Sequence, residues 1–198
     1  KVNIIAHSKG GLEARYLASS LGFADKIASI TTLATPHNGS KTVDSLMKIP
    51  KPLIKIGCKV ADIWFRILGD KSPDTFGAIQ SFITTEAKEF NKQNPDVESI
   101  YYQSYAFVMK NAFSDMVMFL PNLIVNHFEG ENDGLLTPRS VKWTNFKGVV
   151  RGVNNRGVSH CDEVDMRRRK VQIIHNGKKS DIIKLYLNIA KQLESDGY

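Results

Sequence analysis

Residues 2–6, Val-Asn-Ile-Ile-Ala, form a short and mostly apolar run that leads straight into His7-Ser8-Lys9-Gly10-Gly11. Such a run reads as a parallel strand covered on both faces. A helix is expected to follow, because Leu12, Tyr16 and Leu17, with Ala14, Ala18 and Leu21 alongside, make a helical apolar stripe that stops near Gly22. Residues 27–34 form the next strand, ending at Thr35-Pro36-His37-Asn38-Gly39, whose Pro and Gly mark a loop. Strand, helix and strand at this spacing make a βαβ unit, and so a parallel sheet.

Beyond this unit, residues 41–94 turn helical. Leu53, Ile54, Ile56, Val60, Ile63, Trp64, Ile67 and Leu68 give that stretch a broad apolar face, which reads as an insertion over the sheet. Residues 100–108 and 123–128 read as strands, the second delivering Gly130-Glu131-Asn132-Asp133-Gly134 at its C-terminal end. A further strand over 148–153 precedes a loop carrying Ser159-His160. A last helix starts near Ser180-Asp181, either of which can cap it, and presents Ile182, Tyr186, Ile189, Ala190 and Leu193 to the body.

Composition narrows the class. With 198 residues and 42% hydrophobic content, the chain suits one globular domain over 1–198. No segment reaches the roughly 20 uninterrupted apolar residues of a membrane span, the nearest being broken by Lys55, Lys59 and Asp62. The net charge is +7, but its only dense run is Arg167-Arg168-Arg169-Lys170, read as a solvated helix face. No aromatic-basic interleaving accompanies it, which argues against a nucleic-acid partner. Cys58 and Cys161 lack metal-ligand spacing and are too few for a disulfide scaffold.

Ala6-His7-Ser8-Lys9-Gly10 fits the nucleophile elbow G-x-S-x-G of α/β-hydrolases, with Ala in place of the first Gly. Ser8 must then sit on a strained strand-to-helix turn, with small residues at both flanks letting the backbones approach. The backbone N–H of Lys9 is the expected first oxyanion donor, at a helix N-terminus. On this fold the acid and then the histidine follow the serine, each on a loop after a strand. His7 lies on the strand and reads as packing. His37 precedes any acid, His127 lies within a predicted strand, and His175 has no suitable loop. His160 remains. Asp133 is the candidate acid, favoured over its rival Glu131 because Gly134 follows it at the turn.

The residues resemble the Pseudomonas-type bacterial triacylglycerol lipases over nearly the whole chain. The resemblance is carried by residues 2–12, by Thr31-Thr32-Leu33-Ala34-Thr35-Pro36-His37-Asn38-Gly39-Ser40, by Thr84-Thr85-Glu86 to Asn94-Pro95, by Asn132-Asp133-Gly134-Leu135 and by His160-Cys161-Asp162-Glu163. Lys9 stands where the family usually has Gln, and the segment before Asp133 is shorter than in the longest family members. The likeness implies an α/β-hydrolase fold, a mostly parallel sheet with helices on both faces, of which this chain is the C-terminal portion without the first strands. It implies a helical lid insertion over about 41–94, centred on residues 53–68, and a Ser8-Asp133-His160 triad that hydrolyses carboxylic esters through an acyl-enzyme. It also implies no organic cofactor, a lipid substrate met at an interface, and secretion. A structural calcium ion is implied on Asp115, Asp162 and the carbonyls of Met166 and Lys170. The missing strands and second oxyanion donor are expected from an upstream segment or a second chain. A soluble short-chain carboxylesterase, or a non-catalytic lipid- or protein-binding module, would share the fold.

Overall fold

A computed structural model describes residues 1–67, 71–153 and 156–198. Six strands form one sheet in the order of the chain: β1 (Val2–His7), β2 (Ile27–Leu33), β3 (Tyr101–Val108), β4 (Phe146–Gly152), β5 (Gln172–His175) and β6 (Lys178–Asp181). β1 to β4 pair in parallel, and β5 and β6 close the far side as an antiparallel hairpin. The first two strands are parallel as expected, and α1 (Gly10–Ser19) joins them. The expectation that residues 2–6 are covered on both faces is corrected: β1 is the outer strand, Val2 is 56% exposed and no β1 residue is fully buried. The hairpin is not foreseen by the sequence reading.

Alternation along the strands divides the core between two faces. On one, Ile30 and Tyr102 pack against Ala14 and Ala18 of α1. On the other, Leu33, Phe107, Val150 and Ile173 meet Ile182, Leu185, Ile189 and Leu193 of α8 (Ile182–Ser195). Those four α8 residues recur at helical spacing and are at most 4% exposed. Each is worth roughly 1.5–3 kcal/mol of burial. Asp181 caps the helix by accepting from Lys184 N–H at 2.8 Å. Leu185 takes the place expected of Ala190, which is exposed.

Between β2 and β3 lie α2 (Lys41–Leu46), α3 (Lys51–Ile67), α4 (Thr75–Gln80) and α5 (Thr84–Gln93), so the stretch is helical as read. α3 leaves Leu53, Ile56 and Ile63 about 60% exposed. Leu68, the last residue of the apolar face read from the sequence, lies outside the described residues. The segment read as a strand over 123–128 is instead helical, within α6 (Phe119–Glu129). Six apolar-rich residues do not distinguish a strand from a helical turn and a half. Pro121 falls in the first turn of α6, where its missing N–H costs nothing. α7 (Pro138–Val141) then leads into β4.

α1 also differs from its predicted face. Tyr16 and Leu21 are 45% and 51% exposed, whereas Arg15 is 1% exposed. Its guanidinium lies over the Trp143 ring at 4.1 Å and donates to Asn91 Oδ1 and to the Asn94 carbonyl. Nη1 also faces His37 Nδ1 at 3.3 Å. Arginine can only donate, so Nδ1 accepts and His37 Nε2–H points to Thr32 Oγ1 at 3.0 Å. Burial, and then the nearby Arg15 charge, hold the His37 pKa well below its usual value. This histidine is a neutral strut between the elbow helix and β2.

Candidate active site

Ser8 sits between β1 and α1 with φ of +54°, a left-handed conformation that costs a non-glycine residue about 1–2 kcal/mol. The surroundings enforce it. Ser8 N–H donates to the Leu33 carbonyl at 2.9 Å, and Thr35 Oγ1 donates to the Ser8 carbonyl at 2.7 Å. The close approach that requires glycine is at Gly11, where a Cβ would collide with the side chains of Thr35 and Thr32. At Gly10 a Cβ would lie an ordinary 4.0 Å from that of Ala6. The two elbow flanks, Ala6 and Gly10, thus approach to contact distance, and the tightest contact is one residue later, at Gly11. Lys9 is the N-cap of α1, and its side chain reaches Glu13 at 2.7 Å.

Asp133 and His160 are brought together from residues 27 apart in sequence. His160 Nδ1 lies 2.9 Å from Asp133 Oδ2, and His160 N–H donates to the Asp133 carbonyl at 2.8 Å. The other carboxylate oxygen accepts from Leu135 and Leu136 N–H, each at 2.8 Å. Burial pushes the Asp133 pKa up, but the His160 charge and these hydrogen bonds outweigh it, leaving the carboxyl below its usual value. An ionised Asp133 only accepts, so His160 donates to it from Nδ1. Glu131, the rival acid, is half-exposed and paired with Arg151.

His7, read from the sequence as a packing residue, also lies against this site. Its ring lies 4.4 Å from that of His160, centroid to centroid, and its Nε2 is 2.9 Å from Glu163 Oε2. Because Ser8 follows His7 directly, this contact brings the elbow and the histidine loop together. Glu163 is fully buried and lies 3.7 Å from His160 Nδ1. Burial, then the neighbouring Asp133 charge, raise its pKa well above the ordinary carboxyl range. Sequence reasoning missed both residues. His7, His160 and Glu163 are also the group, among the described residues, whose ligand atoms lie close enough to hold a metal ion.

The two carboxylates of the implied calcium site, Asp115 and Asp162, do approach the histidine loop, since both bond Ser159. Each is also engaged by an arginine, Asp115 by Arg167 and Asp162 by Arg156. Calcium takes 6–8 oxygen ligands. Guanidinium donors occupying both acids do not fit that requirement. The solvated helix face read for residues 167–170 is likewise corrected: the segment is a loop whose first residue, Arg167, turns inward. Met166 is exposed, and Lys170 is exposed with φ of +48°.

The sheet and its flanking helices make an α/β protein whose fold is like that of known lipase structures. A Staphylococcus hyicus lipase superposes with a TM-score of 0.60 at 16% identity, over 99% of this chain and 71% of its own. A Bacillus licheniformis lipase in its mature form gives 0.56 at 23% identity, over 81% and 58%. In sequence, the chain is 26% identical over 208 residues to triacylglycerol lipase 2 of Saccharomyces cerevisiae, matching along its whole length. It is 27% identical over 223 residues to a triacylglycerol lipase of Vibrio cholerae, again along its whole length. The chain spans 58% of the yeast protein and 67% of the Vibrio one. No family pattern matches it. Among the described residues, no helix is long and apolar enough to cross a membrane.

Proposed function

We propose that the chain is the nucleophile-bearing part of a secreted triacylglycerol lipase of the Pseudomonas type, acting through Ser8, His160 and Asp133. The observation that carries this reading is the 2.9 Å His160–Asp133 bond, taken with a serine held at positive φ directly after His7, whose ring lies 4.4 Å from that of His160. Ser8 Oγ attacks the ester carbonyl while His160 Nε2 takes its proton. Asp133 holds the ring in this tautomer and stabilises the imidazolium. The tetrahedral oxyanion is met by Lys9 N–H at the start of α1. His160 then protonates the leaving alcohol, and water releases the acyl group by the same steps. The exposed apolar side chains of α3 are the lid surface that meets the lipid.

β1 is the outer strand of the sheet. Its free edge is where further strands, from the same polypeptide or a second one, would add along with the second oxyanion donor. The test uses the intact protein: a serine-directed phosphonate should label Ser8 in the wild type and not in Ser8→Ala. Turnover of emulsified long-chain triglyceride and of a dissolved short-chain p-nitrophenyl ester should fall together in that variant. Activity on the dissolved ester alone would favour a carboxylesterase. A folded wild type that takes up no label would mark a binding module.

A further inference from the structure

The loop carrying His160 is fastened to the rest of the molecule by two carboxylates, Asp115 just after the short turn Ala112–Ser114 and Asp162 within the loop itself. Asp115 is 3% exposed and accepts from Ser159 Oγ at 2.5 Å and from Val117 N–H at 3.0 Å. Its remaining capacity is filled by the fork of Arg167, with Nη2 at 2.6 Å from Oδ1 and Nη1 on Oδ2. Asp162 is 2% exposed, accepts from Ser159 N–H at 3.1 Å, and lies 3.0 Å from Arg156 Nη2. Arg156 Nε in turn donates to the Ser114 carbonyl at 2.7 Å, back in the turn that leads to Asp115. Both carboxylates therefore hold Ser159, the residue before His160, and both are neutralised by side chains of this chain.

These are the acids that the lipase resemblance would give to calcium. A divalent cation placed between them would face two guanidinium groups already hydrogen-bonded to the same oxygens. Arginine is always charged, and its planar fork matches a carboxylate in two parallel bonds. Two arginines supply the two positive charges that one calcium ion would bring.

We propose that Arg167 and Arg156 replace a divalent cation as positioning residues for the His160 loop, so that its placement is independent of calcium. The link to turnover rests on the proposed role of His160 as the base; the placement of the loop does not.

The experiment compares melting temperatures of the intact protein in EDTA and in millimolar calcium chloride. The wild type is expected to melt at the same temperature in both. The double variant Arg156→Ala/Arg167→Ala is expected to melt roughly 5–10 °C lower in EDTA, because two buried carboxylates lose their partners. Calcium should recover part of that loss. Arg167→Lys keeps the charge without the fork, and guards against a double variant that does not fold. It should lower kcat roughly tenfold with KM unchanged, as expected when a supporting residue lets a catalytic group drift. A wild type destabilised by EDTA and restored by calcium would overturn the proposal. So would a double variant that melts like the wild type, or one that calcium cannot restore. The melting measurements need no turnover, so they stand even if the protein proves not to hydrolyse esters.

Discussion

His7 Nε2 and Glu163 Oε2 lie 2.9 Å apart, the spacing of an ion pair, in surroundings that disfavour the charged form of each. Burial and the adjacent His160 lower the His7 pKa to about 4, and burial with the Asp133 charge raises that of Glu163. The bond places an imidazole and a carboxyl beside His160, both in an environment that favours their neutral forms.

Stability should fall on acidification because of His7. Its folded pKa, about 4, lies below the ordinary 6.5, so the stability it contributes is present above 6.5 and is lost as pH falls through 4. The gap between those two values bounds the effect at roughly 3 kcal/mol. Because Glu163 acts in the opposite sense over part of this range, the effect is read as a difference: on going from pH 7 to 4 in denaturant titrations, the wild type should lose more stability, or gain less, than His7→Gln. Equal slopes for the two proteins would contradict the assignment.

Glu163 has the opposite sign. Its folded pKa lies above the ordinary 4.5, so the folded state keeps a proton that the unfolded chain gives up. Stability declines from pH 4.5 upward until the folded carboxyl ionises. Glu163→Gln preserves shape and neutrality, and is predicted to remove that decline while retaining most ester turnover. A large drop in kcat for a stable Glu163→Gln protein would show that the carboxylate form is used.

Arg15→Lys should destabilise the protein by about 2–4 kcal/mol. Lysine cannot lie flat over Trp143 while reaching both Asn91 and the Asn94 carbonyl, as the guanidinium does. Urea denaturation monitored by tryptophan fluorescence measures the change, and a shift under about 1 kcal/mol would argue that the fork is dispensable.

Gly157→Ala is predicted to cost about 2–4 kcal/mol. Gly157 has φ of +75°, and a Cβ there would lie 2.6 Å from the Met109 carbonyl carbon. Since Val158 N–H bonds the Val108 carbonyl at 2.8 Å, the collision displaces the lead-in to His160. Thermal melting and single-turnover acylation should both register it.

Replacing Leu53, Ile56 and Ile63 together by Ser should spare thermal stability, because all three already face water. On the proposed reading, turnover of emulsified triglyceride falls several-fold while that of a dissolved ester changes little. Equal loss on both substrates would show that α3 supports the fold rather than meeting lipid.

The parts legible in the sequence are those whose signal is local. The run into Ser8, the existence of α1 though not its buried face, and the turns at Asp133 and His160 each sit within about a dozen residues. The hairpin of β5 and β6 was also within reach: Asn176-Gly177, with φ of +48° and +74°, is the dipeptide of a tight two-residue turn. Polar Gln172, Lys178 and Lys179 hid it, because an edge hairpin need not alternate strongly. What could not be read was the pairing of side chains distant in sequence. Arg15 looks like any surface arginine until Phe90, Asn91 and Trp143 close around it. Arg167 looks like part of a charged run until Asp115, 52 residues earlier, comes into range.

The left-handed turn at Ser8 also makes this hydroxyl a gauge of assembly. Its conformation is held by the Leu33 carbonyl on β2, by Thr35 beyond it and by the fit of Gly11 against both threonines. A β1 that paired with β2 one residue out of step would release all three restraints and let Ser8 relax to an ordinary backbone. On the proposed reading of Ser8 as the nucleophile, covalent labelling of Ser8 during refolding would then count only those molecules whose first two strands have found their register, and would time that event apart from the bulk gain of helix.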